Sequence, residues 1–167
     1  MEKEWIPYEK FSGKEGRTYA DRLMEYDVQH HYGRLENPDG VGEVGNLTCG
    51  DVMRIYIQVS EGVEGEPIIK DIMFETFGCV AAIATSSMIC DLAYGTSLHE
   101  AMKIKNEDIV DQLGDLPQPK IHCSVLAADA LAEAIFDYLF KHKLDIPEAL
   151  QKRHQHIMRT QASFQEV

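Results

Sequence analysis

Three cysteines each stand at a junction between a loop and a predicted helix or strand. Each has a glycine or a second potential metal ligand beside it, as seen in Cys49-Gly50-Asp51, Gly78-Cys79 and His122-Cys123. Three separate parts of the chain can therefore bring sulfur donors to one point. Such spacing suits a metal or cluster site, but not a zinc finger, which needs closely spaced CxxC pairs.

Two side chains beside these cysteines add further chemistry. Asp51 lies two residues after Cys49, and in an extended backbone both side chains would face the same centre. The alternative is that Asp51 only closes a turn after Gly50. Cys123 begins a predicted long helix, whose amino-terminal dipole favours a thiolate, and the adjacent His122 titrates. The alternative for Cys123 is a buried cysteine that acts as a small hydrophobic residue.

The fourth cysteine and the paired histidines are weaker candidates. Cys90 follows Cys79 by eleven residues in a predicted helix, which separates them by about 16 Å along the axis. They cannot share a metal ion, so Cys90 is expected in the core. The pairs at 30–31 and at 154 and 156 are expected on solvated helix faces.

Composition narrows the class of protein. The chain has 167 residues, of which 44% are hydrophobic and 26% charged, as expected for one domain with a substantial core. The net charge of −12 argues against binding to nucleic acid or to an anionic membrane, and is compatible with a basic protein partner. No apolar run approaches a membrane span, and the start Met1-Glu2-Lys3-Glu4 does not resemble a signal peptide. We therefore expect a cytoplasmic protein with reduced thiols.

The hydrophobic pattern predicts three strands. A short first strand is expected within residues 41–49. Residues 52–59 alternate, with Met53, Ile55, Ile57 and Val59 on one face. A hairpin loop at 60–67 leads to a returning strand at 68–77, which should pair antiparallel with its predecessor.

The remaining segments are predicted to be mainly helical. Helices are expected at 19–31, at 81–94 with Gly95 as its cap, after the capping residues Ser97 and Asn106, at 123–143, and at 148–160. Two prolines should keep residues 116–120 irregular. We divide the chain into an extension at 1–18, a domain at 19–143 and a helical tail at 144–167.

Three motifs in order resemble the IscU/NifU N-terminal scaffold family. They are Cys49-Gly50-Asp51-Val52-Met53, Gly78-Cys79 followed by Ala82-Ile83-Ala84-Thr85-Ser86-Ser87, and Lys120-Ile121-His122-Cys123-Ser124. The likeness runs from about Tyr26 to Tyr138. It implies an α+β fold in which a three-stranded antiparallel sheet packs against several helices, in agreement with the predicted elements.

The resemblance also implies a function. A cysteine desulfurase would deliver persulfide sulfur, and iron and electrons would complete a 2Fe–2S cluster that passes to apo-proteins; the chain itself is not an enzyme. Cys49, Cys79 and Cys123 would bind the cluster, with Asp51 or His122 as a weaker fourth ligand. Cys123 would accept the persulfide and Asp51 would favour cluster release. Zinc in the apo or as-isolated form and a homodimer around the cluster also follow from the family pattern.

Two other functions would use the same cysteines. A related branch of the superfamily uses zinc at the same cysteines for sulfur transfer, but it has an insertion before the last cysteine and an arginine where His122 stands. A hydrolase with a Cys123–His122 dyad is disfavoured because no acid is evident to orient the histidine. The family's chaperone-recognition stretch reads Leu-Pro-Pro-Val-Lys, whereas this chain has Leu116-Pro117-Gln118-Pro119-Lys120. That departure argues against recognition by a dedicated Hsp70-type chaperone.

Overall fold

Three strands form one antiparallel sheet in the order β1-β2-β3. The structure, a computed structural model, describes residues 31–46, 50–114, 116 and 118–162. The strands are β1 (Gly40–Asn46), β2 (Asp51–Glu61) and β3 (Pro67–Phe77), with a single 3₁₀ turn at Val63–Gly65 between the last two. The predicted antiparallel sheet is thereby confirmed.

Five helices accompany the sheet in the described part of the chain. They are α1 (Val80–Ala93), α2 (Leu98–Ala101), α3 (Asn106–Leu113), α4 (Ile121–Lys141) and α5 (Glu148–Ala162). Helix α4 packs against β1, β2, α1 and α5. The α+β architecture expected from the resemblance is therefore present.

Glycines in β1 allow α4 to approach the sheet closely. A Cβ atom added to Gly40 or Gly42 would overlap the backbone carbonyl oxygen of Ala134 or Ala130, respectively. Any larger residue at these two positions would push the helix away from the strand. The glycine-rich sequence of β1 and the alanine-rich sequence of α4 thus have one common cause.

The alternating apolar residues of β2 form its core face, as predicted. Met53, Ile55 and Ile57 are fully buried, and Val59 is half-buried. Tyr56 on the other face is also buried, and its hydroxyl group donates a 2.6 Å hydrogen bond to Glu75. That face is consequently a polar network rather than a freely solvated surface.

Several helix predictions need correction. Helix α1 was predicted to bury one stripe, but ten of its fourteen residues are buried because it lies against β3, α3 and α4. Helix α3 is capped by Lys105 rather than by Asn106, and the Lys105 amide donates to the Asp108 carboxylate. Residues 116–120 were expected to be irregular, but Gln118–Lys120 form a 3₁₀ turn.

Residues 31–33 lie along the open edge of β3. The Phe74 amide donates to the carbonyl oxygen of His31, and the Gly33 amide donates to the carbonyl oxygen of Phe74. His31 is 3% exposed, and its ring atoms Nδ1 and Nε2 lie 3.0 Å from the Ile72 carbonyl and 2.8 Å from the Asp91 carboxylate. The expectation of a solvated His31 is therefore wrong.

The two histidines of the second predicted pair differ in exposure. His154 is half-buried and contacts the Glu133 carboxylate at 2.9 Å, whereas His156 is exposed. The extension at 1–18, residues 19–30 of the first predicted helix, and His30 lie outside the described residues. None of the described helices combines the length and apolar character that crossing a bilayer requires.

Candidate functional site

Three element ends bring four predicted site residues together. Asp51 is the first residue of β2, and Cys79 is the amino-terminal cap of α1. His122 and Cys123 lie in the first turn of α4, which begins two residues earlier than predicted. Each donor is thus held at the end of a regular element, where backbone hydrogen bonds fix its position.

The Asp51 carboxylate lies at the centre of this group. Its Oδ2 atom is 3.6 Å from the Cys123 Sγ and 3.9 Å from the Cys79 Sγ. The His122 Nε2 is 3.6 Å from the Cys123 Sγ. One donor atom from each of Asp51, His122 and Cys123 falls within a 4.8 Å span. These distances allow a single metal or cluster to contact several of the donors.

Cys49 lies outside the described residues, so its contacts stay a prediction. The described residues nearest to it in sequence are Asn46 and Gly50, and the Gly50 amide donates to the Asn46 carbonyl oxygen at 2.7 Å. Asn46 pairs with Asp51 across the β1–β2 ladder. Gly50 has φ of +73°, a conformation that glycine adopts without strain.

Gly78 lies between β3 and α1, beside the Asp51 carboxylate. The chain bends at this glycine, although its φ is not in the left-handed range. A Cβ atom there would lie 2.9 Å from the Cγ and Oδ1 of Asp51 and 2.9 Å from the Cβ of Ala82. Gly78 therefore leaves room for the carboxylate, a requirement that only the packing of separate strands and helices reveals.

The acidity of Cys123 contradicts the expectation from its helix position. Burial, followed by the neighbouring Cys79 and Asp51, raises the pKa of Cys123 to about 12. The favourable dipole of α4 is outweighed because the sulfur is fully shielded from water and faces another acidic group. In the protein without metal, Cys123 is a neutral thiol.

The donor set has the chemistry of a metal or cluster site. Two sulfurs, one imidazole and one carboxylate match the ligands that zinc and iron–sulfur clusters accept. The carboxylate lies against the two thiols, whereas a hydrolase would need it against the imidazole of the dyad. The geometry therefore favours metal or cluster ligation over nucleophilic hydrolysis.

Cys90 occupies the core, as predicted. It is fully buried in α1, and burial raises its pKa well above the ordinary range.

Four large apolar side chains that are close to the site residues in sequence are exposed. They are Val52, Phe77, Val80 and Val125, the second of which is 81% exposed.

Comparison with known proteins identifies the family of the chain. The model of the NifU-like N terminal domain matches residues 18–145. An iron-sulfur cluster assembly scaffold protein IscU of Archaeoglobus fulgidus is 48% identical over 129 residues, which cover 76% of this chain and 81% of that protein. The IscU scaffold protein of Escherichia coli is 43% identical over 130 residues, covering 75% of this chain and 98% of that protein.

Solved structures agree on the fold. A Fervidobacterium islandicum protein, described as an iron-sulfur cluster assembly scaffold for the SUF system, superposes with a TM-score of 0.56 at 24% identity. The superposition covers 68% of this chain and 93% of that one, and it bears on the fold alone. With the match to residues 18–145 and these identities, the chain belongs to the NifU-like N-terminal domain family.

Proposed function

We propose that this protein is a scaffold on which an iron–sulfur cluster is assembled and from which it is passed to acceptor proteins. The observation that carries the proposal is the convergence of Asp51, Cys79, His122 and Cys123 at the ends of three elements. Membership of a family whose named relatives are cluster assembly scaffolds supports it. The cluster is cargo here, so its site has to both hold and release it.

The ligands that we propose for a 2Fe–2S cluster are three thiolates and one weaker donor. Cys79 and Cys123 supply two thiolates, and Cys49 is proposed as the third on the strength of its sequence motif. Asp51 or His122 completes the set with oxygen or nitrogen. An oxygen or nitrogen donor binds iron of a cluster less strongly than thiolate, which favours release.

Sulfur would arrive from a cysteine desulfurase by persulfide exchange. A thiolate of the scaffold attacks the terminal sulfur of the desulfurase persulfide, the sulfur–sulfur bond breaks, and the desulfurase cysteine leaves as a thiolate. We propose Cys123 as the acceptor. Because its thiol is neutral, it must first lose a proton, and the His122 Nε2 at 3.6 Å can take it.

Cluster formation also needs electrons. The two sulfane sulfurs of one 2Fe–2S cluster take up four electrons to become sulfide. Oxidation of two ferrous ions to ferric supplies two of them, and an external one-electron donor supplies the others. The scaffold's own residues bind the iron and sulfide and hold them together; they do not supply electrons.

Anaerobic reconstitution with ferric iron and sulfide tests the proposal. We expect the visible absorption of a 2Fe–2S cluster, with equal iron and sulfide by chemical analysis. Cys79→Ala and Cys123→Ala should lose most of this absorption, while Cys90→Ala, the matched control in the core, should keep it. Stable zinc binding with no sulfide-dependent absorption would instead favour the zinc-dependent sulfur-transfer function.

The acceptor assignment has its own test. The metal-free protein is incubated with a cysteine desulfurase and cysteine, and the modified cysteine is mapped by mass spectrometry. We expect the persulfide on Cys123. Persulfide on Cys49 or Cys79 with Cys123 unmodified would overturn this assignment and leave the scaffold proposal standing.

A further inference from the structure

Helix α5 contacts the strand end next to the candidate site. β1 is an edge strand, and Gly45 pairs with Val52, the neighbour of Asp51. The Gln161 side chain donates from Nε2 to the Gly45 carbonyl oxygen at 2.7 Å, and its Oε1 accepts from the Gly45 amide at 3.4 Å. The amide of one side chain thus bonds both backbone groups of Gly45, as a neighbouring strand would.

Polar contacts attach α5 to α4. Arg153 contacts the Asp129 carboxylate through Nε at 2.9 Å and Nη2 at 2.8 Å. His154 contacts the Glu133 carboxylate, which is only 7% exposed, and its ring stacks on Phe136 with centroids 3.8 Å apart. These contacts set the position of α5, and with it the position of Gln161.

Apolar burial adds to this attachment. Leu150 and Ile157 are 5% and 3% exposed, and both belong to the core cluster. The helix starts at Glu148, beyond residue 145 where the match to the family model ends. Helix α5 is therefore a packed element that the family match does not include.

We propose that Gln161 is a positioning residue for the candidate site, and that α5 braces the β1–β2 hairpin at the end that carries Asp51. With the brace in place, the backbone of Gly45 and its ladder partner Val52 are held, and Asp51 stays against the two thiols. The consequence for cargo rests on the proposed function: release begins when the weakly bound Asp51 carboxylate detaches and opens one side of the site, and the brace slows this step because it limits the movement of Asp51.

Two measurements on the full chain test this brace. Hydrogen exchange of the metal-free protein, followed by mass spectrometry, reports the opening of peptides that cover residues 40–46 and 50–56. Transfer of Co²⁺ from the protein to a chelator, followed by the thiolate-to-cobalt absorption, reports retention at the site. We compare wild type with Gln161→Ala, Gln161→Glu and the control Gln155→Ala, which changes an exposed glutamine of the same helix.

Gln161→Ala should speed both exchange and cobalt loss by about three- to tenfold, the effect of losing one or two hydrogen bonds. Gln161→Glu should behave like the alanine variant, because its carboxylate cannot donate to the Gly45 carbonyl oxygen. Gln155→Ala should match wild type. A glutamate variant that matches wild type would reduce Gln161 to a packing role and overturn the proposal.

Unchanged exchange and cobalt loss in Gln161→Ala would also overturn it, while cobalt binding by the wild type would leave the scaffold function intact. If the wild type binds no cobalt through its cysteines, the scaffold proposal fails. In that case the exchange measurement still decides whether Gln161 holds the strand.

Discussion

A single carboxylate lies near both described thiols of the candidate site. The Asp51 Oδ2 lies within 4 Å of both sulfurs, although Asp51 itself is 5% exposed. A buried carboxylate that faces thiols rather than cations is costly until a metal binds. If the site holds a metal or cluster as proposed, binding displaces the thiol protons and should raise the stability of the folded protein.

Exchange of Asp51 for alanine should slow loss of the cluster without preventing its formation. Asp51 is a weaker donor than thiolate, and its replacement should remove the route by which the cluster is displaced. The half-life of cluster transfer to an apo-ferredoxin measures this, with the exposed Asp111→Ala as the control. Equal half-lives for wild type and Asp51→Ala would remove Asp51 from the release step.

Exchange of Gly78 for alanine should disturb the site directly. The added methyl group would lie 2.9 Å from the Asp51 carboxylate, so the carboxylate or the start of α1 has to move. We expect about 1–3 kcal/mol lower stability in urea denaturation and clearly reduced iron uptake.

Gly45→Ala is the matched control for this change, because its Cβ would meet only ordinary contacts at 3.7 Å. It should retain normal iron uptake. Normal uptake by Gly78→Ala as well would show that the site tolerates the extra methyl group and would contradict our interpretation of Gly78.

The raised pKa of Cys123 predicts an unusual pH dependence of alkylation. With a pKa of about 12, roughly one Cys123 in ten thousand is ionised at pH 8, so the rate should rise about tenfold per pH unit. Initial rates of iodoacetamide labelling, read from the Cys123 peptide by mass spectrometry, should climb without levelling off up to pH 10. Free N-acetylcysteine, an ordinary thiol, should level off earlier. A plateau for Cys123 below pH 9 would show that the helix dipole prevails over burial.

At this scale the sequence could predict the donors but not their environment. Motif spacing identified Asp51, Cys79, His122 and Cys123 as candidates, because residue type and position carry that information. The acidity of Cys123 and the role of Gly78 depend on atoms from distant parts of the chain. No local pattern records such proximity, so the dipole argument predicted the wrong direction for the Cys123 pKa.

At the scale of elements, a different part of the chain forms hydrogen bonds with each edge strand of the sheet. Residues 31–33 bond to β3, while side chains of α4 and α5 bond to β1, where the Val41 amide donates to Asp137 at 2.9 Å and Gly45 pairs with Gln161. These contacts occupy backbone groups with which a strand of another chain would otherwise pair.

The pair formed by His31 and Asp91 should anchor the segment that covers β3. The imidazole Nδ1 faces a carbonyl oxygen and so carries a hydrogen, and the Asp91 carboxyl is the partner of Nε2. Asp91→Ala removes that partner from a buried ring and should cost about 2–4 kcal/mol in urea denaturation. Asp91→Asn can donate to Nε2 and should lose much less. Equal losses for both variants would show that packing, not this hydrogen bond, holds the segment.

Strand predictions succeeded where one face of a strand decides the pattern, as in β2. They were less complete for α1, whose small side chains are buried on most sides and leave no stripe to detect. Helix α3 is capped by Lys105, whose amide donates to the Asp108 carboxylate, and not by the neighbouring Asn106 that the sequence predicted. Sequence alone does not decide between neighbouring cap residues.

At the scale of the whole molecule, a strongly acidic chain also exposes several large apolar side chains. The chain carries −12, yet the apolar side chains Val52, Phe77, Val80 and Val125 are exposed near the site residues in sequence. Exposed apolar groups are a feature of surfaces that contact other proteins. An acceptor protein that takes the cargo by direct contact, as proposed above, would bury them on binding.

The most direct test of the scaffold account is transfer of an intact cluster. Reconstituted protein is mixed anaerobically with an apo-ferredoxin, and circular dichroism follows the cluster signal of the acceptor in the presence of an iron chelator. We expect the acceptor to gain its cluster at the rate at which this protein loses it, with little effect of the chelator. Suppression of the acceptor signal by the chelator would mean that the cluster breaks down into free iron and sulfide first, and would contradict the scaffold role.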